Sequence, residues 1–195
     1  YKQAKGKYIF CLNSDTILMN NTLLLFYNKM EESPSTIGCM GTLLLDVNQK
    51  IMHSYGKFPD LFGNLKWKLG FPCEWKDPKY MKDRDDFFFE VDYVTGADMF
   101  IRKTVIERCG FFDEEFFLYY EETEMQWRFK QNGFLNYIYT IPQIVHLEGT
   151  SAAKHTPIYK TIRNILSRIN SEKLFFKKTN SVCYYYSLVL PYVTV

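Results

Sequence analysis

Histidine is scarce in this chain, three in 195 residues, and cysteine is sparse and unpatterned. The five cysteines, at 11, 39, 73, 109 and 183, are odd in number and never fall in a CxxC spacing. That argues against a zinc ribbon or a disulfide framework and leads us to expect reduced thiols in a cytoplasmic setting. No secretory leader is legible. No apolar run reaches the ~20 residues that a bilayer-spanning helix needs; the apolar stretch 183–195 falls short. A glycine-rich phosphate loop carrying Lys or Arg is lacking as well, as are internal repeats and low-complexity tracts. The net charge of +2 is too small for a dedicated nucleic-acid binder.

What is present reads as one sizeable globular α/β domain, since 47% of residues are hydrophobic against 24% charged. Aromatic residues, at 18%, are in excess, as suits either a ring-lined site or an AT-rich coding background. The charge is uneven. From Thr150 onward seven Lys/Arg stand against the single acid Glu172, a net +6. Such a basic tail is either a solvated helix face or a peripheral contact with anionic lipid at the inner face of a membrane.

Tyr8–Leu12 is a continuous apolar run of the kind found in fully buried parallel strands. Too little precedes it to supply its neighbours, so the first strands of the sheet are expected to be missing. A helix is predicted over Asn20–Glu32, capped by Asn20 or Asn21, with Leu23, Leu24, Phe26, Tyr27 and Met30 as its apolar side and Ser33-Pro34 as its stop. Strand-like runs at Thr36–Leu45 and Ile51–Tyr55 flank a hairpin-like turn at 46–50. Phe58–Phe89 has little periodicity and reads as a lid or insertion. Further strands are expected at 90–95, 99–102, 134–139 and 144–147, a short helix at 103–109 stopped by Gly110, and a basic helix from about 156 to 178.

The most unusual stretch is Phe111–Gly133, where six carboxylates are interleaved with aromatic residues. Phe116–Tyr120 reads as a buried or wall-forming segment. Glu121-Glu122-Thr123-Glu124 then opens a helix ending at Gly133. Acids in a first helical turn are favoured by the helix dipole, which is the plain account of them. The sharper account is an aromatic wall delivering one carboxylate into a cleft as a general base. Asp15 lies just past the end of a strand, where α/β sheets bind ligands, although an Asx turn would also place an aspartate there. In Asn13-Ser14-Asp15 the alternate side chains point the same way. A carboxylate of this kind, with diphosphate oxygens and water, can hold Mg²⁺ or Mn²⁺. His146 at a strand end is either a packed structural residue or a nitrogen ligand to Mn²⁺. Glu124 and Arg128, four apart, read as a helix-surface pair, and Trp127 as core.

Four segments in order, YIFCLNSDT (8–16), VDYVTGADMFIRK (91–103), CGFFDEEFFLYYEETEMQWRFKQNGF (109–134) and IPQIVHLEGTSA (141–152), together resemble the family 2 glycosyltransferases, especially the bacterial rhamnosyltransferase-like branch. The resemblance implies a GT-A fold: a mixed sheet flanked by helices, lacking here its first Rossmann-like strands. Residues 1–155 would form a partial catalytic domain, and 156–195 a basic helix and apolar tail. It implies metal ligands at Asp15, His146 and Asn13, with Asn13 in place of a first carboxylate. The paired acids Glu121 and Glu122 would supply the base, with Glu122 the favoured member. Thr95, Gly96, Ala97 and Asp98 would form a loop near sugar and acceptor, and Trp127 would stand nearby. The implied activity is inverting transfer of a sugar from a nucleotide-diphosphate donor to a glycan or lipid-linked acceptor in surface polysaccharide synthesis, with Mg²⁺ or Mn²⁺ as cofactor. The rival readings are a catalytically inactive sugar-binding fragment and a nucleotidyltransferase of related fold.

Overall fold

A computed structural model describes residues 1–59, 87–147 and 158–179. The chain runs β1 (Tyr8–Leu12), β2 (Thr16–Leu18), α1 (Thr22–Glu32), β3 (Ile37–Gly41), β4 (Leu44–Leu45), β5 (Tyr55–Gly56), β6 (Phe88–Val91), β7 (Tyr93–Val94), β8 (Asp98–Arg102), α2 (Lys103–Cys109), α3 (Glu121–Gln131), β9 (Leu135–Tyr139), β10 (Ile144–His146) and α4 (Ile158–Lys178). The expected lid at 58–89, the boundary at 155 and the apolar tail fall largely outside the described residues.

Five strands form a mixed sheet in the order β1-β8-β3-β9-β6, in which only β3 and β9 are parallel. A smaller sheet, β2-β10-β4, and the pair β5-β7 stand beside it. Alternation along the strands sorts the side chains onto two faces. Ile9, Cys11, Cys39, Met99, Ile101 and Ile138 meet α2 and α3 through Val105, Ile106, Met125 and Phe129. Tyr8, Phe10, Met40, Phe100 and Tyr137 meet α1 through Phe26 and Met30. The register agrees, since Cys11 lies opposite Met99 and Phe10 opposite Phe100. The fold is therefore mixed α/β, with helices on both faces of a mixed sheet.

Expectations about β1 and α1 are corrected here. Strand β1 is antiparallel to β8, lies at the sheet's edge and is only partly buried. Its unbroken apolar run reports coverage of both faces, which periodicity cannot distinguish from a central parallel position. On α1 the buried stripe is Thr22, Phe26 and Met30, whereas Leu23, Leu24 and Tyr27 are exposed. Asn20 does not cap the helix. Its side chain donates to Ile141 O at 3.0 Å and accepts from Gln143 N at 3.1 Å, tying the start of α1 to the approach of β10. The expected hairpin turn at 46–50 is present: Leu45 bridges Ile51 antiparallel, Asp46 N donates to Lys50 O at 2.8 Å and Met52 N to Leu44 O at 2.8 Å, while β5 pairs with β7.

The sheet leaves no room at Gly41. A Cβ there would stand 2.2 Å from Val94 Cγ1 and 3.3 Å from both carboxylate oxygens of Asp98. Gly41→Ala is expected to cost about 1–3 kcal/mol, the usual range for forced overpacking, in urea denaturation monitored by circular dichroism.

Candidate active site

Three of the sequence-predicted residues converge where β1 ends. Strand β2 pairs antiparallel with β10, setting His146 opposite Thr16, and Leu147 N donates to Asp15 O at 2.8 Å. His146 Nε2 then lies 3.2 Å from Asp15 Oδ1 and 3.4 Å from Asn13 Nδ2. Asn13 is held by its own backbone: its N–H donates to Ala97 O at 3.0 Å, and its carbonyl accepts from Thr16 Oγ1 at 2.7 Å. The imidazole is buried, whereas the Asp15 side chain is 49% exposed and open to a ligand.

Asp15 and His146 could give a divalent cation two ligands, the rest coming from elsewhere. Two adjacent ligands of an octahedral ion with bonds of about 2.1 Å stand about 3 Å apart, close to the Asp15–His146 separation. A carboxylate with an imidazole suits Mn²⁺ better than Mg²⁺. Among the described residues no cluster of three or more His, Cys, Asp or Glu could hold a metal ion. Asn13, water or substrate oxygens would have to complete the shell.

The acids arrive on α3. Tyr119 and Tyr120 both adopt left-handed backbone, φ +69° and +68°, a conformation that costs a non-glycine residue about 1–2 kcal/mol. The resulting sharp entry starts the helix at Glu121 with no side-chain cap. Gln126, fully buried, fixes the first turn. Its Oε1 accepts from Val94 N at 2.8 Å, and its Nε2 donates to Val94 O at 2.7 Å and to Glu122 O at 3.1 Å. Burial, reinforced by the negative charge of Glu121, pushes the Glu122 carboxyl up to about 7. Burial also raises Glu121, whose Oε2 is enclosed without a hydrogen-bond partner.

Two hollows meet at this pair. One, of about 540 Å³, is bordered by Asn13, His146, Thr95, Gly96, Ala97, Glu121 and Glu122. The other, of about 440 Å³, shares Asn13, Gly96 and both glutamates and continues past Phe112, Asp113 and Phe117. Asp15 borders neither and reaches the first through its contact with His146. Gly96 lies against Glu122, and its missing side chain keeps the space above that residue open.

Two predicted substrate residues are placed differently. Asp98 is fully buried, accepts from Thr42 N at 2.6 Å and lines neither hollow. As the first residue of β8 it alternates inward, and burial raises its carboxyl well above the ordinary range. Trp127 packs against the Phe116–Phe175–Phe176 cluster and lines neither hollow. Thr95 does border the site, but its hydroxyl is directed to Ser54 O at 3.2 Å.

Sequence reasoning missed Tyr93, His53 and Arg168, which border the larger hollow. Nothing local marks His53. Tyr93, its hydroxyl pushed well above the ordinary range by burial and by the nearby Glu122, lies in β7 next to the strand residue that Gln126 grips. Arg168 comes from α4, whose basic character was legible although its proximity to the hollow was not. No protein-family model matches the chain, and no curated protein matches it significantly.

Proposed function

We propose that this chain carries the metal and acceptor side of an inverting family 2 glycosyltransferase of GT-A fold, moving a sugar from a nucleotide-diphosphate donor to a hydroxyl of a glycan or lipid-linked acceptor, as in surface polysaccharide assembly. The observation that carries this reading is that Glu122 and His146, 24 positions apart on different elements, border one hollow, with Asp15 touching His146. In this reading the Glu122 carboxylate accepts the proton of the acceptor hydroxyl as its oxygen attacks the anomeric carbon from the face opposite the leaving group. The bond from that carbon to the diphosphate oxygen breaks in the same step, through an oxocarbenium-like transition state. A base with a pKa near 7 is well matched to a proton transfer at neutral pH. Asp15 and His146 would hold Mn²⁺ or Mg²⁺, which supplies positive charge where the diphosphate departs. Glu121 keeps Glu122 basic by like-charge repulsion, and Gln126 holds the turn that presents it.

The test is binding of Mn²⁺ together with a nucleoside diphosphate, read from loss of the free-ion electron paramagnetic resonance signal. Asp15→Ala and His146→Ala are each expected to weaken this binding by at least about tenfold, the low end for loss of a ligand or its close partner. Wild-type protein that binds no Mn²⁺ with any nucleoside diphosphate, or variants that bind as the wild type does, would refute the proposal.

A further inference from the structure

The outer face of α4 is a feature that the site does not explain. Ser171 and Phe175 are buried on its inner side, and Ser171 Oγ donates to Leu118 O at 2.8 Å. Lys178 pairs with Asp113 and Glu115. On the opposite side Ile162, Ile165, Leu166 and Ile169 fall at one helical stripe, 52%, 54%, 54% and 41% exposed. Arg163 flanks the stripe on one side and Arg168 on the other, both exposed, and exposed Lys177 lies two turns further along, past Phe176, which falls on the same line but is buried. Arg168 also borders the larger hollow, so the stripe runs beside the mouth of the site.

We infer that α4 is an interfacial helix that lays this stripe into an anionic lipid surface and seats the mouth of the hollow against the bilayer. Aliphatic residues on one face with cations at its flanks are what such a surface recognises, the stripe entering the acyl boundary and the cations meeting lipid phosphates. A second copy fits the face poorly. It would bring the same cations against these, with Glu172 the only acid on the helix to answer them. The stripe is two turns long, roughly 12 Å by 10 Å or on the order of 120 Å², far short of the ~800 Å² that each partner contributes to a stable dimer. Docking stands on the helix alone. That it would present a lipid-linked acceptor to Glu122 rests on the proposed function.

The experiment is flotation of the whole chain with phosphatidylcholine vesicles, with and without phosphatidylglycerol, in the absence of any sugar nucleotide. The protein is expected to float with the anionic vesicles, less so at raised salt, and not with the neutral ones. Ile165→Glu with Leu166→Glu is expected to reduce partitioning by at least roughly tenfold, leaving the unfolding midpoint of the free protein unchanged. Arg163→Glu with Lys177→Glu is expected to remove the preference for anionic lipid. The inference is overturned if the wild type floats with neither vesicle. It is also overturned if the double glutamate variant lowers the unfolding midpoint, which would mean the stripe is covered from within the chain, or if that variant dissociates an oligomer, which would mean a second copy covers it. Failure of the glycosyltransferase reading would leave these outcomes untouched, because no turnover is measured.

Discussion

Glu122→Gln is expected to lower turnover by about 10²–10⁴-fold while leaving Mn²⁺–nucleoside diphosphate binding close to wild type. The substitution keeps the shape of the side chain and its place on α3, and it removes only the ability to take a proton. With the carboxyl raised to about 7, the wild-type rate should climb through neutral pH and level off above it, because only the carboxylate acts as base. The variant's residual rate should lack that limb. Stability should respond in the opposite sense. A carboxyl whose folded pKa lies above its ordinary value of 4.5 favours the fold below that value, and this contribution is lost as pH rises through about 7. Glu122→Gln should therefore unfold at a higher temperature than wild type in alkaline buffer, with the difference shrinking in acid. Near-normal turnover in the variant would remove Glu122 from the mechanism. The same measurement on Glu121→Gln separates the two acids. If Glu121 acts only through its charge, its loss should shift the wild-type limb to lower pH and spare most of the turnover.

The sequence carried the element order well because most of its signals are local. The apolar runs of β1, β8 and β9, the glycine stops after α2 and α3, and the acids that open α3 each report on a few adjacent residues. Gly110 and Gly133, at φ +85° and +81°, stand where the chain needs a left-handed residue. Pairing partners were harder to read. An edge strand covered on both faces, as β1 is, has the same apolar pattern as a central one. The site was legible as a set of residue types. That His146 Nε2 would meet Asp15 depended on β2 pairing with β10 across more than a hundred residues. The turn that aims Glu121 and Glu122 was not legible, since two consecutive tyrosines in left-handed backbone contradict local propensity. That strain is sustained by tertiary contacts: Tyr120 packs against Phe175, and Leu118 O accepts from Ser171, both on α4. The basic helix therefore braces the segment that leads into α3, which charge counting could not reveal.

The Glu124–Arg128 pair shows the same gap in energetic terms. Its spacing suggests a surface ion pair, worth about 0.3–0.5 kcal/mol. The structure corrects this. Glu124 is 3% exposed, and Arg128 grips both its oxygens, Nε to Oε1 at 2.8 Å and Nη2 to Oε2 at 2.9 Å. The guanidinium also donates to Phe111 O at 2.6 Å and to Cys109 O, binding α3 to the chain that leaves α2. A Cβ on Gly110 would stand 2.8 Å from Arg128 Nη1, so the glycine is needed both for its positive φ and for this contact. Arg128→Ala strands a buried carboxylate and leaves two carbonyls without their donor. It is expected to cost about 3–5 kcal/mol in urea denaturation, roughly tenfold more than the surface estimate. Replacing both members together, Glu124→Met with Arg128→Met, removes the stranded charge and should cost markedly less than the single change. A single-variant cost below about 1 kcal/mol would return the pair to the surface class. If the larger cost is found, part of it should appear as a lower midpoint for the whole 109–131 segment in hydrogen exchange. That segment includes the turn at Tyr119–Tyr120, which Arg128 helps to hold by fixing the helix on one side while α4 fixes the aromatic segment on the other.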